Sequence, residues 1–303
     1  MTDELERKVG DHTISVSKPD KLLFPDDGIT KADLVDHYAR MAAPMLPFVR
    51  GRPITMQRFP DGIDRQGFYE KKAPDHFPGW VDRVRVETRD GSQDQVACEK
   101  EETLALLAEQ ACITPHVWLS TREDLSAPDQ LVFDLDPATP DVGLVQHAAL
   151  SLRDHLDDLG LTSFVKTTGS RGFHVHVPLE RGDDYDDVRS FARELARHMA
   201  DQDPDRLTVE QRKNKRGDRV YLDVLRNAYG QTVVPPYATR ARPGAPVAAP
   251  LDWSEVHRTA PDHYTIATIG RRIGRHDDPW ADFARHAQSL DDARGRLQER
   301  TTS

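Results

Sequence analysis

The sequence predicts an α/β fold built on a mixed sheet, and three observations predict it. Strand-like and helix-like stretches alternate through the middle of the chain: LVFDLDP, GLVQHAALSLRDHLDDLG, SFVKTTGSRGFHVHVPL, DDYDDVRSFARELARHMADQD and RVYLDVLRN. Such alternation places helices on a sheet. One strand pair is joined by a glycine turn, Gly169 to Gly172, and a hairpin makes its strands antiparallel, so the sheet is mixed rather than wholly parallel. The 303 residues leave room for one large domain or two packed modules with a real hydrophobic core.

The elements follow in chain order. Up to about Gly28 the sequence alternates poorly and carries Pro19 and Pro25, which predicts an extended arm with turns. Thr30 is an N-cap for KADLVDHYARMAAPML, where Leu34, Tyr38 and Met41 or Ala42 recur at helical spacing. Between Pro53 and Val86, ITMQRF, GFYEKKA and VDRVRVET are short β-like pieces separated by Pro and Gly, the makings of a small antiparallel sheet. EETLALLAEQAC is a helix by its leucine spacing, and HVWLS begins another strand. LVFDLDP is a strand ending at Pro137, and the helix after it closes at Gly160. The last sixty residues are rich in Pro, Arg and Asp, with a helix near WADFARHAQSLDDARGRLQER.

Composition narrows the function classes. A formal charge of -10 argues against a protein that coats nucleic acid nonspecifically, because phosphate affinity comes from Lys and Arg. Any DNA contact must use local patches such as Arg212, Lys213, Lys215, Arg216 and Arg219, or Arg240 with Arg242; the competing reading of such a run is a solvated loop. Cys98 and Cys112 are too few for a disulfide framework and form no CxxC pair, so both read as ordinary thiols. No apolar run approaches the roughly 20 residues of a bilayer span, and MTDELERKVG lacks a secretory signal's apolar stretch. The expected location is the cytoplasm, with no membrane partner.

Chemistry concentrates in three acids. Asp134 and Asp136 lie two apart at the end of an apolar strand and so share one face. Two carboxylates that close repel unless cations neutralise them, and hard divalent ions prefer oxygen ligands. On its own, DxD is equally compatible with acids that cap a turn. Asp223, in VYLDVL, sits on a strand predicted to be buried, where an unpaired charge costs several kcal/mol. Three carboxylates on neighbouring strands are what two-metal phosphoryl transfer requires. TTGSRGFHVHV adds a glycine turn with Ser170 and Arg171, read either as a phosphate cradle or as a plain hairpin. His174 and His176 share a strand face, but no third ligand at zinc spacing follows.

With DLD, GSRGFHVHVPL and YLDVLRN in hand, the chain resembles the polymerase domain of bacterial ATP-dependent DNA ligase D, in the archaeo-eukaryotic primase superfamily. PDKLLFPDDGITKADL, GFYEKKAPDHFPGW, ACITPHVWLS and YLDVLRNAYGQTVVPPYATRARPGAPVAAPLDW complete the family's order of landmarks over nearly the whole chain. The resemblance implies an RRM-like catalytic sheet beside a smaller N-terminal α/β module, all within one domain, 1–303. Its approximate parts are 1–115, 116–245 and a C-terminal helical extension at 246–303. It implies that Asp134, Asp136 and Asp223 hold two Mn²⁺ or Mg²⁺ ions. It further implies that His116, Thr168, Ser170, Arg171, His174, Arg226, Arg240 and Arg242 line the nucleotide site. Lys21 and Lys31 would hold a downstream 5′-phosphate, Phe68 would stack on the template with Tyr69 beside it, Lys71 would join the DNA contacts, and Arg216 would lie in a loop that orders the site. Thr168 stands where the family commonly has serine, and Arg171 where lysine also occurs; both changes keep the chemistry.

The expected function is template-directed gap filling and end extension with ribo- or deoxynucleoside triphosphates, preferring ribonucleotides, in double-strand-break or gap repair. No ligase or nuclease domain fits in the chain, which implies a stand-alone member working at the nucleoid with an end-binding Ku and a separate ligase. Two rivals differ in chemistry: a phosphoesterase or nuclease using the same acids with water as nucleophile, and a silent module that bridges DNA ends.

Overall fold

The computed structural model describes residues 4–88, 90–275 and 277–302. The chain divides into two compact units: Met1–Leu125 with Thr232–Ala249 and Tyr264–Asp277, and Ser126–Gln231 with Pro250–His263 and Asp278–Ser303.

In the first unit the expected arm, of which residues 1–3 lie outside the described residues, is a hairpin instead. β1 (Glu4–Val9) pairs antiparallel with β2 (His12–Ser17) across a two-residue turn in which Gly10 has φ 53°. Val9, Ile14 and Val16 are its buried side, a short alternation that the polar flanks obscure. After β3 (Leu22–Phe24) and β4 (Ile29–Thr30), α1 (Lys31–Val49) starts where predicted, closed by a reciprocal capping box between Thr30 and Asp33. It keeps Pro44 within the expected span and runs past the expected end at Leu46 through Pro47, its buried face of Leu34, Tyr38, Met41 and Met45 packing on α2 (Glu101–Glu109).

Between these helices, β5 (Pro53–Arg58), β6 (Phe68–Glu70), β7 (Arg83–Thr88) and β8 (Gly91–Ala97) form an antiparallel sheet in the order β6-β5-β8-β7. β8 was not expected, because GSQDQVA begins with polar residues that read as loop. β9 (Cys112–Val117) pairs with the other side of β5. HVWLS therefore ends a strand rather than beginning one; Pro115 masked it, and an outer strand tolerates proline.

In the second unit, β10 (Gln130–Pro137), α3 (Val142–Asp158), β11 (Phe164–Thr167), β12 (Phe173–Pro178) and α4 (Tyr185–Gln202) lead to β13 (Leu207–Thr208) and β14 (Val220–Asp223). With β15 (Pro250–Leu251) the sheet order is β13-β14-β10-β12-β11-β15. Its core is a βαββαβ motif whose four strands stand in the order fourth-first-third-second, the expected RRM-like arrangement. All pairs are antiparallel except β13 with β14, so the sheet is mixed as expected.

Leu131, Phe133, Leu135, Val175 and Val177 are fully buried on the face covered by α3 and α4. α3 ends as predicted: Leu161 N–H donates to Leu156 O and Gly160 N–H to Asp157 O, with Gly160 at φ 79°. Of the terminal helices, α5 (Ile269–Ile273) belongs to the first unit and α6 (Asp291–Thr302) to the second, while Phe283–His286, expected within one helix with α6, forms a 3-10 turn. Among the described residues no helix is long and apolar enough to cross a membrane.

Candidate active site

Strand register builds the site. Lys166 on β11 stands opposite His174 on β12, His174 opposite Asp134 on β10, and Asp134 opposite Asp223 on β14. Four side chains thus form a row across four strands, on the face away from α3 and α4. Lys166 Nζ lies 2.9 Å from His174 Nδ1, and His174 Nε2 faces Asp134 Oδ1 at 3.3 Å. Arg226 Nε approaches the other Asp134 oxygen at 3.5 Å. Burial drives the Asp134 carboxyl up, but His174, Arg226 and Lys166 overcome it and hold the group well below the usual carboxylate range. Burial and the Lys166 cation push His174 down to about 4, against the pull of Asp134.

One pleat further along, Asp136 stands opposite Tyr221. Arg171 Nη2 donates to its Oδ1 at 3.2 Å and Arg216 Nη1 to its Oδ2 at 2.9 Å. Arg216 is buried, its guanidinium 4.0 Å from the Tyr221 ring and bonded to the carbonyls of Glu210 and Gln211. It therefore turns inward, while Arg212, Lys213 and Lys215 of the same basic run face solvent. Arg171 is brought here by its hairpin: a Cβ at Gly172 would come within 1.8 Å of Leu135 O, so only glycine lets the turn lie this close to the acids. Thr168 fastens that turn, donating from Oγ1 to Gly172 O at 2.8 Å while accepting the N–H groups of Ser170 and Gly172 at 3.2 Å. Those two backbone donors, which the cradle reading of the turn would offer to phosphate, are held by Thr168, while the Arg171 side chain is exposed.

Asp223 is the last residue of β14 and only half-buried, rather than interior to a buried strand as its sequence context suggested. Its Oδ1 accepts from Leu225 N–H at 2.8 Å and from Tyr221 Oη at 3.4 Å. Burial raises its pKa against the Leu225 bond, and the adjacent Asp134 raises it further. Where β14 leaves the sheet, Asn227 replaces it: the fully buried amide accepts from Val132 N–H at 2.8 Å and donates to Val132 O at 2.7 Å. Asn227 and Lys166 were both missed in the sequence. An asparagine ending VLRN and a lysine inside the apolar strand FVK were their only signals.

The remaining predicted residues lie in the first unit. Lys21 and Lys31 are brought together by a backbone bond, Lys31 N–H to Lys21 O at 2.9 Å. Lys21 donates to the exposed Asp61 at 2.8 Å; Lys31 is buried beside Glu109 at 3.4 Å and Ser17 at 3.1 Å. Phe68 and Tyr69 are adjacent exposed aromatics on β6, 46% and 61% exposed, with Lys71 exposed just beyond. Arg58 lies over the Phe68 ring, and Tyr69 meets the ring of His116 at 5.6 Å. Arg240 and Arg242 sit on a tight turn closed by Arg240 N–H to Pro246 O. Cys98 and Cys112 are free and buried, and burial raises both thiols, Cys112 to about 12.

A family model described as LigD, primase-polymerase domain, matches residues 30–280. The chain belongs to this family. It is 34% identical over 272 residues to the bifunctional non-homologous end joining protein LigD of Bacillus subtilis, covering 89% of this chain and 44% of that one. To the multifunctional non-homologous end joining protein LigD of Pseudomonas aeruginosa it is 32% identical over 283 residues, 91% of this chain and 34% of the other. The chain thus spans less than half the length of these relatives. The polymerase domain of Mycobacterium tuberculosis ligase D, solved in complex with DNA, superposes with a TM-score of 0.85 at 30% identity, covering 90% of this chain and 99% of that one.

As a LigD primase-polymerase, the chain is a nucleotidyltransferase, and the family implies a nucleoside triphosphate and divalent ions. The donor set suits such ions: three carboxylates at adjacent strand ends, one of them raised in pKa beside another and without an ion pair among the described residues. In the present rotamers Asp136 is occupied by Arg171 and Arg216. Among the described residues no three His, Cys, Asp or Glu side chains are grouped to hold a metal ion.

Proposed function

We propose that this LigD primase-polymerase is a template-directed polymerase that fills short gaps and extends broken DNA ends, in double-strand-break or gap repair. The observation that supports this reading most is the placement of Asp134 and Asp223 side by side, with Asp136 one pleat away, on a sheet face flanked by Arg171 and Arg226. Two Mn²⁺ or Mg²⁺ ions held by these acids would neutralise the triphosphate and activate the 3′-hydroxyl. Around them the chain's own groups bind and orient. Arg171 and Arg226 present guanidinium forks to phosphate oxygens. Ser170 adds a hydroxyl, Thr168 keeps the hairpin closed, and His174 holds Asp134.

In the first unit, His116, Arg240 and Arg242 are the proposed nucleotide contacts. Lys21, whose partner Asp61 lies in solvent, is better placed than the buried Lys31 to take a 5′-phosphate. Phe68 and Tyr69 offer the exposed rings on which a template base stacks. Lys71 and the loop anchored by Arg216 supply further DNA contacts. Residues 1–303 make up one primase-polymerase domain, ribonucleotides are preferred over deoxyribonucleotides, and the relatives' role in end joining extends to this chain, with Ku and a DNA ligase as partners at the nucleoid.

Primer extension on a gapped duplex carrying a downstream 5′-phosphate, with Mn²⁺ and either ribo- or deoxynucleotides, tests this. Ribonucleotide addition with pyrophosphate release by the wild type, lost in Asp136→Ala with DNA binding retained, is the expected result. Strand hydrolysis in its place would make the protein a nuclease, and binding without addition an end-bridging module.

A further inference from the structure

Lys166 is, among the described residues, the one Lys, Arg, Asp or Glu side chain with no solvent exposure at all. It is not needed to fill space, since a methionine occupies similar volume without a buried charge. Its ammonium is a donor with no lone pair. At 2.9 Å from His174 Nδ1 it obliges that nitrogen to accept, so the proton of the neutral imidazole sits on Nε2. Nε2 is the atom that faces Asp134 Oδ1 at 3.3 Å. The opposite tautomer would set an N–H against the ammonium and a lone pair against the carboxylate, so the cross-strand register Lys166–His174–Asp134 permits one direction of hydrogen bonding only.

We propose that Lys166 is a positioning residue for nucleotide addition: acting through His174, it fixes the imidazole tautomer and ring orientation and thereby holds the Asp134 carboxylate in place. The inference rests on Asp134 serving the polymerase reaction. Lys166 itself is fully buried, and its effect is relayed by the ring whose two nitrogens join the two charges.

Long-range ¹H–¹⁵N correlation spectra of histidine-labelled protein at neutral pH read the tautomer directly. The wild type is expected to show His174 with its proton on Nε2 alone, and Lys166→Met a proton on Nδ1 in a measurable fraction of the molecules. In primer extension on the gapped duplex, Lys166→Met should lower kcat by about 10- to 100-fold, the range for partners that orient a site's ligands, with KM for the nucleotide little changed. In a His174→Gln background the same substitution should cost nothing further, because its route is gone.

A wild-type proton on Nδ1, or on both nitrogens, overturns the proposal. So does a Lys166→Met loss of equal size with and without His174. Should Lys166→Met fail to fold, the wild-type spectrum alone decides. If the wild type adds no nucleotide to any primer, the polymerase reading falls, and the spectrum still decides whether Lys166 sets the imidazole.

Discussion

In the first unit a buried charge meets its opposite directly. Lys31 lies against Glu109, and Glu102 takes the Asp11 N–H at 2.8 Å and His12 Nδ1 at 3.2 Å, pinning the β1–β2 turn to α2. In the second unit the cation Lys166 and the anion Asp134 are separated by an imidazole, and the row ends at Asp223 with two acids side by side. The first arrangement is complete in itself and serves stability. The second keeps a carboxylate raised in pKa by burial and by its neighbour, a configuration that an arriving cation relieves. Stability and function thus draw on buried charge in opposite ways, between two helices of the first unit and across the sheet of the second.

The sharpest way to break this contrast is Asp223→Asn. It should lower nucleotide addition on the order of 10³-fold, the rate equivalent of losing several kcal/mol of metal-based charge stabilisation. Folding stability in urea should be unchanged or higher, because the side chain removed is the repelled one. A large loss of stability would mean Asp223 is structural like Glu102.

Next comes His37, in the first unit, whose Nε2–H donates to Tyr237 O at 3.0 Å while Nδ1 is buried without a partner. Burial pushes this group down from 6.5 to about 4. Between those values the unfolded chain binds the proton that the folded one refuses, so stability is full above pH 6.5 and is lost as pH falls toward 4. The loss amounts to about 3 kcal/mol, and urea midpoints across that window in wild type and His37→Gln measure it; the variant should lack this part of the slope.

Glu109→Gln should cost about 2 kcal/mol at neutral pH, less than a fully buried pair because both partners keep slight solvent contact. An unchanged midpoint would show that Ser17 and water suffice for Lys31. Smallest in stability is Phe68→Ala, within about 0.5 kcal/mol because the ring is exposed. Its affinity for a primer–template with an unpaired template base should still fall by about 1 kcal/mol or more if the ring stacks on that base; equal affinity by fluorescence anisotropy would remove Phe68 from the DNA contacts.

How far the sequence could be read depended on the range of the interaction. Thr30 with Asp33, the helix stop at Gly160 and the hairpin around Gly169 were legible because capping and turn chemistry act over a few residues. The β1–β2 hairpin and β8 were not, since polar residues on their inward faces, Arg7 in β1 and Gln93 and Gln95 in β8, break the alternation that marks a strand. At the site, Asp134 and Asp136 could be placed on one face from the strand period alone. That Arg216 would leave its basic neighbours and turn to Asp136 could not, because the sequence shows a charge run and no direction.

The sequence by itself determined the α/β class, the strand that carries two acids to its end, and the glycine turn from Gly169 to Gly172, each set by backbone periods and turn chemistry. Only the tertiary structure decided that Lys166, His174, Asp134 and Asp223 share one row, because register between strands that carry Asp134 and Asp223, 89 residues apart in the chain, is a property of the assembled sheet. The tautomer argued for His174 follows from that register, since a proton is placed by what stands on either side of the ring rather than by the residues that precede and follow it.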